Sequence, residues 1–74
     1  MSPRQCRAAR AWLNIHAKDL ANLAGVARQT VMRFETGRRQ TEATQAMLQA
    51  ALEGQGVVFR YSRTGEPIGI EGKP

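Results

Sequence analysis

Apolar residues recur along this chain at helical spacing until about residue 56, and then the pattern changes to β-branched and aromatic. Cys6, Ala9 and Leu13 fall on one helical face, with Arg4, Arg7 and Arg10 on another. Ser2 is a capping residue, Pro3 suits the first helical position, and Gln5 stands three residues after the cap. A first helix is predicted over residues 3–13. After a short connection through Asn14-Ile15-His16, a second helix is predicted over 17–24, with Leu20, Ala21 and Ala24 inward. Gly25 ends it, and Val26 is expected to be the buried residue of a tight turn. A third helix, over 28–36, turns Val31 and Phe34 inward, and Gly37 closes it. Arg38-Arg39-Gln40 forms a basic loop. A fourth helix over 41–53 presents Thr44, Met47, Leu48, Ala51 and Leu52 on its apolar side, and Gly54 and Gly56 stop it.

Val57-Val58-Phe59-Arg60-Tyr61 then predicts a strand. Residues 62–67 read as a turn, Ile68-Gly69-Ile70 as a short returning strand, and the last four residues as frayed. The expected fold is mostly α: a four-helix domain over 1–56, followed by a C-terminal strand or hairpin over 57–74. There is no internal repeat.

The charge sharpens this picture. The net charge is +5 over 74 residues. Residues 1–41 carry eight cations against two acids, a net +6, whereas 42–74 carry three against four, a net −1. A basic half joined to a near-neutral half points to a face aimed at a polyanion. No helix has a broad apolar face flanked by lysines, as binding to a bilayer surface requires. No apolar run suits a signal peptide or a membrane span, so the default compartment is a reducing cytoplasm. No separate effector domain is expected in a chain of this length, so regulation is expected through concentration, assembly or a partner protein.

Candidate chemistry is sparse. One cysteine and one histidine allow no internal disulfide and no structural zinc site, so no metal or cofactor is expected. No carboxylates pair at catalytic spacing, and no glycine-rich loop could hold phosphate. A Cys6–His16 dyad is the weak enzymatic reading, against a Cys6 that packs as a small apolar residue. With four aromatic residues, RNA recognition by stacking is also disfavoured.

Residues 17–36 carry the functional signal. Two short helices across a tight glycine-containing turn make a helix-turn-helix arrangement. Ala21 is small where the helices approach, and Val31 and Phe34 anchor the second helix. The outer face is Arg28, Gln29, Thr30, Met32 and Arg33. In this motif the start of the second helix meets base edges in the major groove, where Arg pairs with guanine and Gln with adenine.

The stretch LNIHAKDLANLAGVARQTVMRFETGRR, residues 13–39, resembles the XRE, or lambda-repressor-like, family of bacterial and phage regulators. Leu20-Ala21, Ala24-Gly25-Val26, Thr30-Val31 and Arg33-Phe34-Glu35-Thr36-Gly37 carry the resemblance. Cys6-Arg7-Ala8-Ala9-Arg10 and the run from Ala51-Leu52-Glu53 to Gly56-Val57 extend it to about residues 3–59. It implies base reading by Arg28, Gln29 and Arg33, and phosphate contact by Thr30 and Arg38. Lys18, Met32 and Arg39 complete the expected groove- or phosphate-contacting set. The chain departs from the family where His16 and Ala17 replace a common Ser-Gln pair, and where Ala27 replaces a Ser or Thr cap. Backbone N–H groups near Ala17 and Lys18 remain available to a phosphate.

Other residues take plainer readings: Arg4, Arg7 and Arg10 as solvated surface, Glu35 as a structural group orienting an arginine or the loop, His16 as a loop or capping residue, and Trp12 as core edge. The expected function is sequence-specific binding of double-stranded DNA by a cytoplasmic, nucleoid-associated homodimer. It would be a repressor or dual regulator, and small members of this family often sit beside their own operator, which implies autoregulation. A chromosomal gene and a mobile element (prophage or conjugative) fit equally. The alternative is an antitoxin or anti-activator that mainly binds a partner protein. Dimerisation is expected from Val57, Val58, Phe59 and Tyr61, with the strand pairing to its counterpart across a two-fold axis. An isolated hairpin is marginal in water, and these side chains need cover.

Overall fold

Most helix ends follow a local signal in the sequence. In a computed structural model, which describes residues 1–73, the order is α1 (Pro3–Leu13), α2 (Ala17–Ala24), α3 (Arg28–Glu35), α4 (Glu42–Gly54), β1 (Val57–Tyr61) and β2 (Pro67–Gly72). The Ser2 hydroxyl accepts from the Gln5 N–H at 3.1 Å, and the Gln5 side chain accepts from the Ser2 N–H at 2.9 Å, a reciprocal cap. Asn14 ends α1 in the left-handed conformation, with φ 57°. Thr36 is the cap of α3 rather than its last residue, and Thr41 caps α4 by accepting from the Thr44 N–H at 3.1 Å.

Ten apolar residues form the core: Cys6 and Ala9 from α1, Leu20 and Ala21 from α2, Val31 and Phe34 from α3, Leu48 and Leu52 from α4, and Val57 and Phe59 from β1. Leu13, Ala24, Val26 and Ala51 are half-buried and pack against it. Val26 is therefore less enclosed than the sequence suggests. Met47, expected on the apolar side of α4, is 43% exposed. The buried stripe runs through Leu48 and Leu52, spaced by four, and Met47 sits one helical step (about 100°) away from Leu48.

The C-terminal region is an antiparallel hairpin with Val57 opposite Gly72 and Phe59 opposite Ile70. A bulge between Arg60 and Tyr61 leaves Tyr61 opposite Pro67. The returning strand is longer than expected and includes Glu71 and Gly72. The Lys73 N–H bonds to the Gly56 carbonyl at 2.7 Å, so the segment expected to fray is tied down as far as Lys73, and Pro74 lies outside the described residues.

Two contacts fix the hairpin on α1. Gln5 is buried, and its Nε2 donates to the carbonyls of Arg60 and Gly69, both at 2.9 Å. One amide thus serves both the helix start and both strands. On the other side the Trp12 ring lies so close over Gly72 that a Cβ at that position would overlap it. Trp12 is half-exposed, which fits the core-edge reading.

Candidate nucleic-acid interface

The turn between α2 and α3 sets the geometry of the basic face. Gly25 takes a left-handed conformation at φ 73°, where a side chain would be strained. The Val26 N–H returns to the Ala21 carbonyl at 3.0 Å, closing α2 and launching α3 two residues later. Burial of Val31 and Phe34 fixes the roll of α3 about its axis. Arg28, Gln29, Met32 and Arg33 are consequently exposed, while Thr30 is half-buried. Ala27 caps α3 with no side-chain hydrogen bond, as its residue type requires.

Arg28, Met32 and Thr36 recur every four residues and form a crest along α3 and its cap. A depression of about 460 Å³ lies on one side of the crest. Its far bank is Arg7 and Arg10 of α1 and residues 16–19 at the start of α2. A second depression, also about 460 Å³, is lined by Gln29, Arg33 and Arg38 together with the crest. Cations therefore flank α3 on both sides. Among the described residues, no ion pair engages Lys18, Arg28, Arg33, Arg38 or Arg39. Arg39 is exposed on the following loop, outside these two depressions.

Arg38 owes its place to the way α3 ends. Gly37 has φ 91°, its N–H bonds to the Phe34 carbonyl at 3.0 Å, and the Arg38 N–H bonds to the Arg33 carbonyl at 2.9 Å. This paired closure needs a left-handed residue at 37 and swings the next residue back toward the helix. At the start of α2, the His16 N–H donates to Asp19 Oδ2 at 2.9 Å. The N–H groups of Ala17 and Lys18 belong to the first turn and have no partner within the helix.

Beneath the basic face lies a polar cluster. Glu35 is buried and receives two bonds from Arg10, Nε to Oε2 at 2.7 Å and Nη2 to Oε1 at 2.6 Å. The Cys6 thiol donates to Oε2 at 3.1 Å, and Arg7 donates to the Glu35 carbonyl oxygen. Burial would raise the Glu35 pKa, but hydrogen bonds from Arg10 and Cys6 and the charges of Arg10 and Arg7 outweigh it and hold the carboxyl below its ordinary value. Burial, and then the neighbouring carboxylate, push the Cys6 thiol far up. A thiol so held is a poor nucleophile, in keeping with the packing role expected of Cys6.

The structural reading of Glu35 is thus met, and Arg7 is exposed as expected although one of its donors is engaged, but the solvated reading of Arg10 is not met. Arg10 spends its charge on Glu35 and also reaches the Ile15 carbonyl at 3.2 Å. What the sequence left open was which arginine Glu35 would meet; it is the burial of its carboxylate that calls for a cationic partner. The dimerisation set also divides. Val57 and Phe59 are 1% and 8% exposed within their own chain and need no second copy to cover them, because alternate residues of β1 face the helices. Val58 is half-buried and Tyr61 exposed, so only these two still lack full cover.

No protein-family model matches the chain, and no curated protein matches it at a significant level.

Proposed function

We propose that this chain is a sequence-specific DNA-binding regulator with a lambda-repressor-like helix-turn-helix, α2 and α3, whose α3 enters the major groove. The observation that carries this reading is the exposed crest of α3 with a cation-lined depression on each side. A helix of about 10–12 Å diameter fits a major groove about 12 Å wide, which sets one phosphate backbone along each flank. Arg28, Gln29 and Arg33 then reach base edges. Lys18, the free N–H groups of Ala17 and Lys18, Thr30, Arg38 and Arg39 hold phosphates, and Met32 offers an apolar contact to a thymine methyl. The regulator acts as a cytoplasmic repressor or dual regulator, and autoregulation is the simplest arrangement.

A mobility shift tests this, comparing DNA from upstream of its own gene with a random fragment at low and moderate salt. Tight binding to the upstream fragment that survives moderate salt is expected. Equal, salt-sensitive binding to both favours a different operator or the second reading, an antitoxin or anti-activator docked on a protein. Met32, half-exposed at the centre of the crest, favours that second reading more than any other residue.

A homodimer on a two-fold site doubles the base contacts of one small module. With Val57 and Phe59 committed to the core, pairing of β1 across the two-fold axis would use its backbone together with Val58 and Tyr61. Tyr61→Lys combined with Val58→Lys is expected to give a monomer by sedimentation while retaining native circular dichroism. A variant that remains dimeric would remove β1 from the interface.

A further inference from the structure

A third depression, of about 480 Å³, continues from the first around the end of α3. The two share Arg7, Glu35 and Thr36. Its walls are Ser2, Arg4 and Arg7 of the α1 region, the Thr36–Gly37 corner, and Pro67 at the start of β2. Arg4 also borders a smaller hollow with Ile68 and Gly69, so it stands as a post between α1 and the hairpin.

Arg4 is exposed, and among the described residues no hydrogen bond or ion pair engages its side chain. Arg7 gives one N–H to the Glu35 carbonyl, which anchors its guanidinium at the seam between the two depressions and leaves other donors of its five-donor fork free. Among the described residues the only carboxylate lining the cleft is Glu35, and Arg10 already neutralises it. Two guanidinium groups thus face an open trough that no acid among the described residues fills. Gln5 holds the third wall still by binding the hairpin to α1.

We propose that this cleft binds a backbone phosphodiester of DNA flanking the segment read by α3, with Arg4 and Arg7 as its ligands. A planar guanidinium matches a phosphate through two parallel N–H donors, and an anchored one loses less freedom on binding. The contact extends the footprint of the domain past the helix-turn-helix and is indifferent to base sequence, because it meets only the backbone. It rests on the DNA-binding reading above but uses residues outside the motif.

The test compares the full chain with Arg4→Ala, Arg7→Gln and the double variant, measuring affinity against salt for a bound fragment and for random DNA. Arg60→Ala removes an equal charge from the exposed Arg60–Glu71 pair and serves as the control. Each lost phosphate contact is expected to lower the magnitude of the log–log salt slope by about 0.9, equally on both DNAs, with Arg60→Ala unchanged. Trimming the duplex on the flank beside α1 is expected to weaken the full chain but not the double variant. Arg4→Ala leaves no buried group unpaired, so its native circular dichroism separates a lost contact from a lost fold. An unchanged slope in Arg4→Ala and Arg7→Gln, in a protein whose binding still depends on Arg28, would overturn this proposal and leave the motif reading intact. A full chain that binds no DNA would overturn both.

Discussion

Arg10→Met is expected to bring the domain close to unfolding at neutral pH. The substitution leaves the Glu35 carboxylate buried with its two strongest donors gone. Breaking a buried pair from one side costs about 3–5 kcal/mol, because the remaining charge is uncompensated. A domain of this size has a total stability of about 4–11 kcal/mol at the usual per-residue value, so the loss is a large share of it.

The sign of the pH dependence separates this mechanism from simple loss of packing. In the native protein the folded Glu35 pKa lies below its ordinary value of about 4.5. The pair therefore stabilises the fold above that value, and its contribution is lost as pH falls through the lower folded value. In Arg10→Met, burial is opposed only by the Cys6 hydrogen bond and the Arg7 charge and the folded pKa is expected to rise, so the penalty is greatest at neutral pH and shrinks on acidification. Urea denaturation of both proteins at pH 7 and pH 4 reads this directly. A second variant, Arg10→Met with Glu35→Leu, is expected to recover most of the loss, since two apolar groups can replace a buried pair. A cost for Arg10→Met below about 1 kcal/mol and independent of pH would show that the cluster is not sealed from solvent.

The largest expected effect on function is at Arg28. It lines both depressions beside α3 and stands in the first turn of the crest. Arg28→Ala is expected to cost about 1–3 kcal/mol on the specific site and to relax preference at one base pair. Its side chain is exposed and engaged in no ion pair among the described residues, so the fold should not change. Binding to a set of operators, each altered at one base pair, separates the cases. A loss confined to the site and one position means base contact, whereas an equal loss on random DNA assigns Arg28 to a phosphate.

The helices were legible because several levels of the sequence agree at each end. Ser2-Pro3 starts α1, and Gly25 and Gly37 stand where left-handed residues close α2 and α3. The outer face of α3 was readable because Val31 and Phe34 leave it only one way to roll. What the sequence hid lies between elements distant along the chain. Gln5 reads as half of a capping box and is that, but the same amide also binds Arg60 and Gly69, which no local pattern announces. Arg10 looks like its exposed neighbours on α1, and only the position of α3 makes it a partner of Glu35. Val57 and Phe59 read as in need of a second copy because the pattern of a strand does not show which helices it packs on.

The bonds of Gln5 reach 55 and 64 residues along the chain. During synthesis, α1 is complete long before either carbonyl it serves has been made. The ribosome tunnel holds back the most recent residues, so closure of the hairpin onto α1 waits until Gly69 has left the tunnel. Until then Val57 and Phe59 have no sheet partner, and the buried side of α1 is partly open. The contacts that complete the core therefore form late, because closing so long a loop precedes the contacts that reward it. A chain whose β1 has left the tunnel before β2 would therefore expose an apolar strand edge, and prompt emergence of β2 would protect it.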